Sequence, residues 1–391
     1  MTDRKFRTKL VHAGIRRSQY GEMAEAMFLT QGFVYPSAEA AEARFLDQSK
    51  DEFIYARYGN PTTRMFEDRM AEIEGTQDAF ACASGMAAIN GALSALVKAG
   101  DHIVAARQMF GSCLHVLKVL ERFGVAVTLV DGTQLDAWRA AMRPETKICF
   151  FESVSNPGLE VIDIAGVAQI AHAGGAVVVV DNVFASPVFS NAVSLGADII
   201  VYSATKHIDG SGRVLGGVVL GTQDFIRGPL ETYVKHTGGA MSPFHAWLLL
   251  SGLQTLDLRV RAQAVNAAAV ATAVAGHKAL ARTIYPGLIE HPQHALAMDQ
   301  MGSGGTMIAL DLAGGKAAAF RFLNALEIVL LSNNLGDAKS IATHPATTTH
   351  KNLSEEERAA INITPGLVRI SLGIEDGRDL VADIRGALDA V

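Results

Sequence analysis

Between about residues 79 and 220 the chain alternates short apolar runs with longer segments of helical character. The runs are His102-Ile103-Val104-Ala105, Val125 to Val130, Ile148-Cys149-Phe150-Phe151, Ala176 to Val180, Ile199-Ile200-Val201 and Val218-Val219-Leu220. Each is continuously apolar rather than alternating, so both faces are expected to be buried, as in a parallel strand with helices on each side. Helical candidates lie between them. Gly85 to Lys98 begins after Ser84 and stops before Gly100, residues that suit a helix N-cap and C-terminus. After Leu256 the texture changes: Arg259 to Ala281 is Ala-rich and helix-prone, and Met307 to Leu312 and Leu367 to Leu372 read as strands. The pattern predicts an α/β protein with a mostly parallel central sheet and a smaller α+β unit at the C-terminal end. The expected divisions are an irregular arm over residues 1–60, a large domain over 61–256 and the C-terminal α+β domain over 257–391.

Composition narrows the class. A chain of 391 residues is long enough for two or three buried cores. Charged residues make up 19% and the net charge is −6, so there is no basic field to gather nucleic acid or anionic lipid. With 49% hydrophobic residues the chain has ample material for a core, which argues against disorder. Cys82, Cys113 and Cys149 form no CxxC pair and cannot build a disulfide framework, which suits a reducing cytoplasm. The segment Met1 to Arg7 is charged and lacks the apolar centre of an export signal. Stretches such as Trp247 to Leu250 and Ala267 to Val274 are too short to cross a bilayer. A cytoplasmic protein without nucleic-acid or membrane partners is expected.

Several common motifs fail. Gly210-Ser211-Gly212 has Leu215 where a dinucleotide fingerprint requires glycine, and the twelve histidines show no metal-ligand spacing, so no metal is expected. The informative residues stand at the ends of two apolar runs. Val177 to Val180 leads into Asp181-Asn182, and Ile199 to Tyr202 leads into Ser203-Ala204-Thr205-Lys206. In an open α/β sheet, ligands sit outside the carboxyl ends of the strands, so a carboxylate and an amine would meet in one crevice. Those two residues alone also fit a salt bridge at the sheet edge. Ser84-Gly85, opening a helix after Phe80-Ala81-Cys82-Ala83, offers a hydroxyl and free backbone N–H groups to a phosphate, although a plain N-cap would look the same. Taken together, an imine-forming amine, an acid for a ring nitrogen and an anion cradle are what pyridoxal phosphate requires. Ser203 and Thr205 would add hydroxyls to the phosphate.

The run Ser203-Ala204-Thr205-Lys206-His207, with Asp181-Asn182-Val183-Phe184 upstream, resembles the Cys/Met-metabolism family of pyridoxal phosphate enzymes. The similarity extends over nearly the whole chain, through Val11-His12-Ala13-Gly14, Tyr55 to Thr62, Ser84-Gly85-Met86, Ser155-Asn156-Pro157, His344-Pro345-Ala346 and Val368 to Asp376. The resemblance implies the aspartate-aminotransferase-like fold (fold type I) and a homotetramer of two tight dimers. It implies that Lys206 holds the cofactor and moves protons, and that Asp181 pairs with the pyridine nitrogen. Ser84, Gly85, Met86, Ser203 and Thr205 would surround the phosphate, and Asn156 would join them at the cofactor. Tyr55 and Arg57 would reach the phosphate of the neighbouring subunit, with Tyr55 assisting proton transfer there. Arg369 would clamp the substrate α-carboxylate.

Two departures from the family pattern are informative. Phe110-Gly111 stands where most members have tyrosine and glycine, so Phe110 can stack on the cofactor ring but cannot exchange a proton. Asn333-Asn334-Leu335-Gly336-Asp337-Ala338-Lys339-Ser340 stands where relatives read Ser-Leu-Gly, placing Asn334 at the substrate. Both segments, with His207 to Arg213, look like the O-succinylhomoserine sulfhydrylase branch. The expected reaction joins an amino-acid ester, O-succinyl-L-homoserine, with sulfide to give L-homocysteine and succinate, on the way to methionine. Cystathionine γ-synthase, cystathionine γ-lyase, methionine γ-lyase and O-acetylhomoserine sulfhydrylase are the alternatives within the same family.

Overall fold

The computed structural model describes residues 4–46 and 52–391. Seven strands form the larger sheet: β1 (Asp78–Cys82), β2 (His102–Ala106), β3 (Ala126–Val130), β4 (Thr146–Glu152), β5 (Val177–Asp181), β6 (Ile199–Ser203) and β7 (Gly217–Gly221). Their spatial order is β1-β7-β6-β5-β4-β2-β3. β2 and β4–β6 are buried almost throughout, as their continuous apolar runs require. β3 differs because it is the edge strand, and Ala126 and Leu129 face solvent. β7 differs too: it runs antiparallel to both β6 and β1, because the segment between Ser203 and Gly217 contains no helix to carry a parallel crossover. The two reversals cancel, so the carboxyl ends of β1, β2, β4, β5 and β6 all open on one edge.

The smaller sheet has five strands, β8 (Leu280–Ile284), β9 (Met307–Leu312), β10 (Leu330–Leu331), β11 (Ile341–Thr343) and β12 (Leu367–Ser371), in the order β10-β11-β12-β9-β8. The helix expected over 259–281 spans Leu256–Val274 instead, and Gly276 at φ +75° breaks it before β8. Similarly, the helix after Ser84 closes at Ser94, with Ala95 as its cap and Leu96 turning back to the Leu93 carbonyl.

The N-terminal segment is less irregular than expected. It carries α1 (Phe6–His12) and α2 (Ala38–Leu46), while residues 1–3 and 47–51 lie outside the described residues. Leu10 on α1 is buried against the protein's own body. Arg69, buried on α3 (Pro61–Glu74), donates to the Ala13 carbonyl and pairs with Glu25 at 2.7 Å, and the Trp247 indole N–H donates to the Glu25 carbonyl. The first part of the segment is thereby fastened to its own chain.

Each sheet has its own apolar core. A third cluster joins them, bringing Val154, Leu159, Phe184 and Ala185 from the large-sheet side against Met307, Ala309, Leu335 and Leu367 from the other. Burying one such side chain contributes about 1.5–3 kcal/mol, against roughly 1 kcal/mol net for a hydrogen bond, so apolar packing fixes how the two sheets meet. The cavity described next opens beside this seam.

Candidate active site

A cavity of about 450 Å³ lies at the carboxyl edge of the large sheet, walled on its far side by the loop Ser332–Leu335 and by Arg369 of the small sheet. It is lined by Ser84, Gly85, Met86, Phe110, Asn156, Asp181, Ser203, Thr205, Lys206, Asn334 and Arg369, groups that lie far apart in the chain. Tyr55 and Arg57 are not among its walls. Tyr55 is exposed, and the Arg57 guanidinium lies over the Tyr55 and Tyr58 rings and donates to the Lys235 carbonyl.

Lys206 sits in the turn that follows β6, and its Nζ donates to the side-chain oxygen of Asn334. Burial, aided by the positive charge of Arg369, lowers its pKa to about 8 against the pull of Asp181. A lysine so placed gives up its proton far more readily than an ordinary one, and the fraction that is free near neutral pH is a competent nucleophile and base. Asp181 is the last residue of β5. It is buried, and burial raises its carboxyl above the ordinary range while the Val183 N–H and Lys206 oppose the rise. Such a carboxyl is best satisfied by a cationic N–H donor.

Ser84 caps α4 (Gly85–Ser94), its hydroxyl accepting from the Ala87 N–H at 3.1 Å. The N–H groups of Gly85 and Met86 belong to the first turn, where no helical carbonyl can satisfy them, which suits them to an anion. The cradle is tight: a Cβ on Gly85 would lie 2.5 Å from the Ser203 Cβ, and one on Gly217 would collide with the Ser84 carbonyl. The Thr205 hydroxyl is already engaged with Gly216, accepting its N–H at 3.0 Å.

Arg369 lies within β12, opposite Ala309 and Thr343, and is buried. Its Nη1 donates to the Asn156 side-chain oxygen at 2.7 Å and its Nη2 to the Asn334 carbonyl at 3.0 Å, while its buried Nε has no partner among the described residues. Burial brings its pKa down to about 10. A buried guanidinium hydrogen-bonded to neutral oxygens and left one donor short is suited to an incoming carboxylate.

The sequence profile of Cys/Met metabolism PLP-dependent enzymes matches residues 7–389. The chain belongs to this family. It is 50% identical over 383 residues to the O-succinylhomoserine sulfhydrylase of Mycobacterium tuberculosis, covering 97% of this chain and 94% of that one. It is 40% identical to the L-methionine gamma-lyase of Porphyromonas gingivalis, covering 99% and 97%. A crystal structure from Campylobacter jejuni containing N′-pyridoxyl-lysine-5′-monophosphate superposes with a TM-score of 0.94 at 29% identity, covering 99% of this chain and all of that one. The fold is accordingly the expected type I architecture.

The residues present fit the family's cofactor. The collision-limited cradle at Gly85 suits a phosphate, the buried Asp181 a protonated ring nitrogen, and the readily deprotonated Lys206 amine an aldehyde. Two site residues escaped the sequence reading. Glu152, the last residue of β4, lines the cavity beside Asp181, with which it is in cross-strand register. The apolar run Ile148 to Phe151 stops one residue short of Glu152, which by the strand-end rule that places Asp181 also faces the crevice. Buried His350 packs edge-on to the Phe110 ring at 6.4 Å between centroids, and burial holds its pKa down to about 4. The Cys113 thiol lies within 4.8 Å of both carboxyls, and burial raises its pKa, so it remains protonated there.

Proposed function

We propose that the protein converts O-succinyl-L-homoserine and sulfide into L-homocysteine and succinate, a γ-replacement. The observation that carries this reading is the loop Asn333–Leu335, which touches both functional ends of the cavity: the Asn334 side chain accepts from Lys206 and its carbonyl accepts from Arg369. This is the segment in which the sequence departs from the general family pattern toward the sulfhydrylase branch, and it agrees with the similarity to the M. tuberculosis enzyme.

Bound in this cavity, pyridoxal phosphate supplies an aldehyde for imine formation and an electron sink that acidifies carbon-bound protons of the substrate. The protein's residues do the rest. The first turn of α4, with Ser84, Gly85, Met86, Ser203 and Thr205, holds the phosphate. Asp181 keeps a proton on the ring nitrogen. Arg369, steadied by Asn156, holds the substrate α-carboxylate and so aims the Cα proton at Lys206. The Lys206 Nζ takes that proton and returns protons as succinate leaves from Cγ and sulfide takes its place. Phe110 provides an apolar face and no proton, leaving Lys206 as the amine that titrates near neutrality on this chain's own wall.

The arm contributes in a second copy. Tyr20, Met23, Leu29 and Val34 are exposed apolar side chains in the first sixty residues, a density that suits a surface meant for a partner chain. On this reading Tyr55 and Arg57 complete the neighbour's phosphate site, two such dimers form a homotetramer, and the enzyme works in the cytoplasm. The second reading is a γ-lyase, favoured by the 40% identity to the P. gingivalis enzyme.

The test supplies purified holoenzyme with O-succinyl-L-homoserine or O-acetyl-L-homoserine, with and without sulfide. Homocysteine formed one-to-one with succinate is the expected result. Formation of 2-oxobutyrate and ammonia at the same rate whether or not sulfide is present would replace it with the γ-lyase reading.

A further inference from the structure

Glu152 has more ties across the cavity than its position at a strand end suggests. Its two carboxylate oxygens hold two different loops. Oε1 accepts the backbone N–H of Phe110 at 2.7 Å, in the loop after β2, and Oε2 accepts the backbone N–H of Asn156 at 2.9 Å, in the loop after β4. The first loop carries the aromatic ring of the cavity. The second carries the amide whose Oδ1 receives Arg369 at 2.7 Å. Both donors are main-chain groups, so the side chain at 152 sets where two backbones run. Removing an acceptor oxygen strands a backbone N–H in a buried site, which costs more than the net worth of the bond itself.

We infer that Glu152 is a positioning residue that locks the Phe110 ring and the Asn156–Arg369 clamp into one fixed relation, so that a single side chain registers the substrate's α-carboxylate against the ring face. The inference rests on the reading of Arg369 as the carboxylate clamp. An ordinary buried carboxylate that merely satisfies two amides would also stabilise the fold, but its loss would not act selectively through Asn156.

The discriminating variant is Glu152→Gln, which keeps the side-chain volume but offers one acceptor oxygen and turns an NH₂ toward the other donor. Holoenzymes of the parent, Glu152→Gln, Asn156→Ala and the double variant are titrated with L-alanine, an amino acid without a γ leaving group, and followed by visible absorbance. Thermal stability is measured alongside. Glu152→Gln is expected to weaken L-alanine binding about tenfold, the scale of one buried N–H left without its acceptor. In the Asn156→Ala background the same change is expected to cost less than about threefold, because residues acting through one another are not additive. Fully additive losses, or a Gln variant that binds L-alanine as tightly as the parent, would overturn the inference. If the Gln variant does not fold, Glu152→Asp, which keeps the carboxyl but shortens the reach, is put through the same cycle with the same two criteria. A parent that binds cofactor but not L-alanine would remove the clamp reading and this inference with it; a parent that binds and a Gln variant that binds equally would remove the inference alone.

Discussion

The two sheets contribute to the cavity in different ways. The large sheet delivers Glu152, Asp181 and Lys206 from the ends of three adjacent strands, at positions fixed by parallel register, and burial shifts the protonation of all three. The small sheet delivers Arg369 from within an antiparallel strand, and a loop whose Asn334 reaches back to Lys206. On the proposed reading, one body holds the groups that gain and lose protons and the other holds the cation that grips the substrate. Chemistry and recognition would then be built separately and joined at the apolar seam that includes Phe184 and Leu335.

The strongest way to break this division is Lys206→Ala. Loss of the amine should cut turnover by about 10³-fold or more, the scale of a missing acid–base group, while Arg369 continues to bind amino acid. Near-normal turnover would put the chemistry elsewhere. Asp181→Asn should lower kcat/KM by about 10²-fold through one charged hydrogen bond lost in a buried site, with weakened cofactor binding measured by dialysis and absorbance. For Arg369→Ala the expected split is opposite: KM for the ester rises about 10–100-fold and the cofactor absorbance of the resting enzyme is unchanged. A parallel fall in cofactor affinity would show that the two sheets do not divide the work.

The smallest effect is on pH dependence. Cofactor capture by the apoprotein needs the unprotonated Lys206 amine. With its pKa lowered to about 8 by burial and Arg369, the capture rate should rise with pH up to about 8 and flatten above it. A rate that keeps climbing tenfold per unit toward the ordinary lysine value near 10.4 would mean the amine is not tuned.

The same contrast governs what could be read from the residues beforehand. Parallel strands buried on both faces are written as continuous apolar runs, so β2, β4, β5 and β6 were legible, and with them the strand-end residues Asp181 and Lys206. Ser84 was legible because an N-cap must be polar. The direction of β7 was not, since its apolar run is the same read in either sense. Arg369 and Asn334 carried no local signal at all: an arginine within an antiparallel strand looks like any other, and its place at the cavity depends on packing between segments about 150 to 180 residues apart, such as those of Phe184 and of Leu335 and Leu367. Only resemblance to the family pointed to them. The Thr205 hydroxyl lines the cavity while also bonding to Gly216, and a hydroxyl has a further acceptor site beyond those two bonds.

The most direct test of the proposed reaction is a competition in one vessel: O-succinyl-L-homoserine with equal concentrations of isotopically labelled sulfide and L-cysteine, the products resolved by mass spectrometry. The account predicts labelled homocysteine as the main product, matched by succinate. Cystathionine in excess of homocysteine, or 2-oxobutyrate in excess of both, would contradict it.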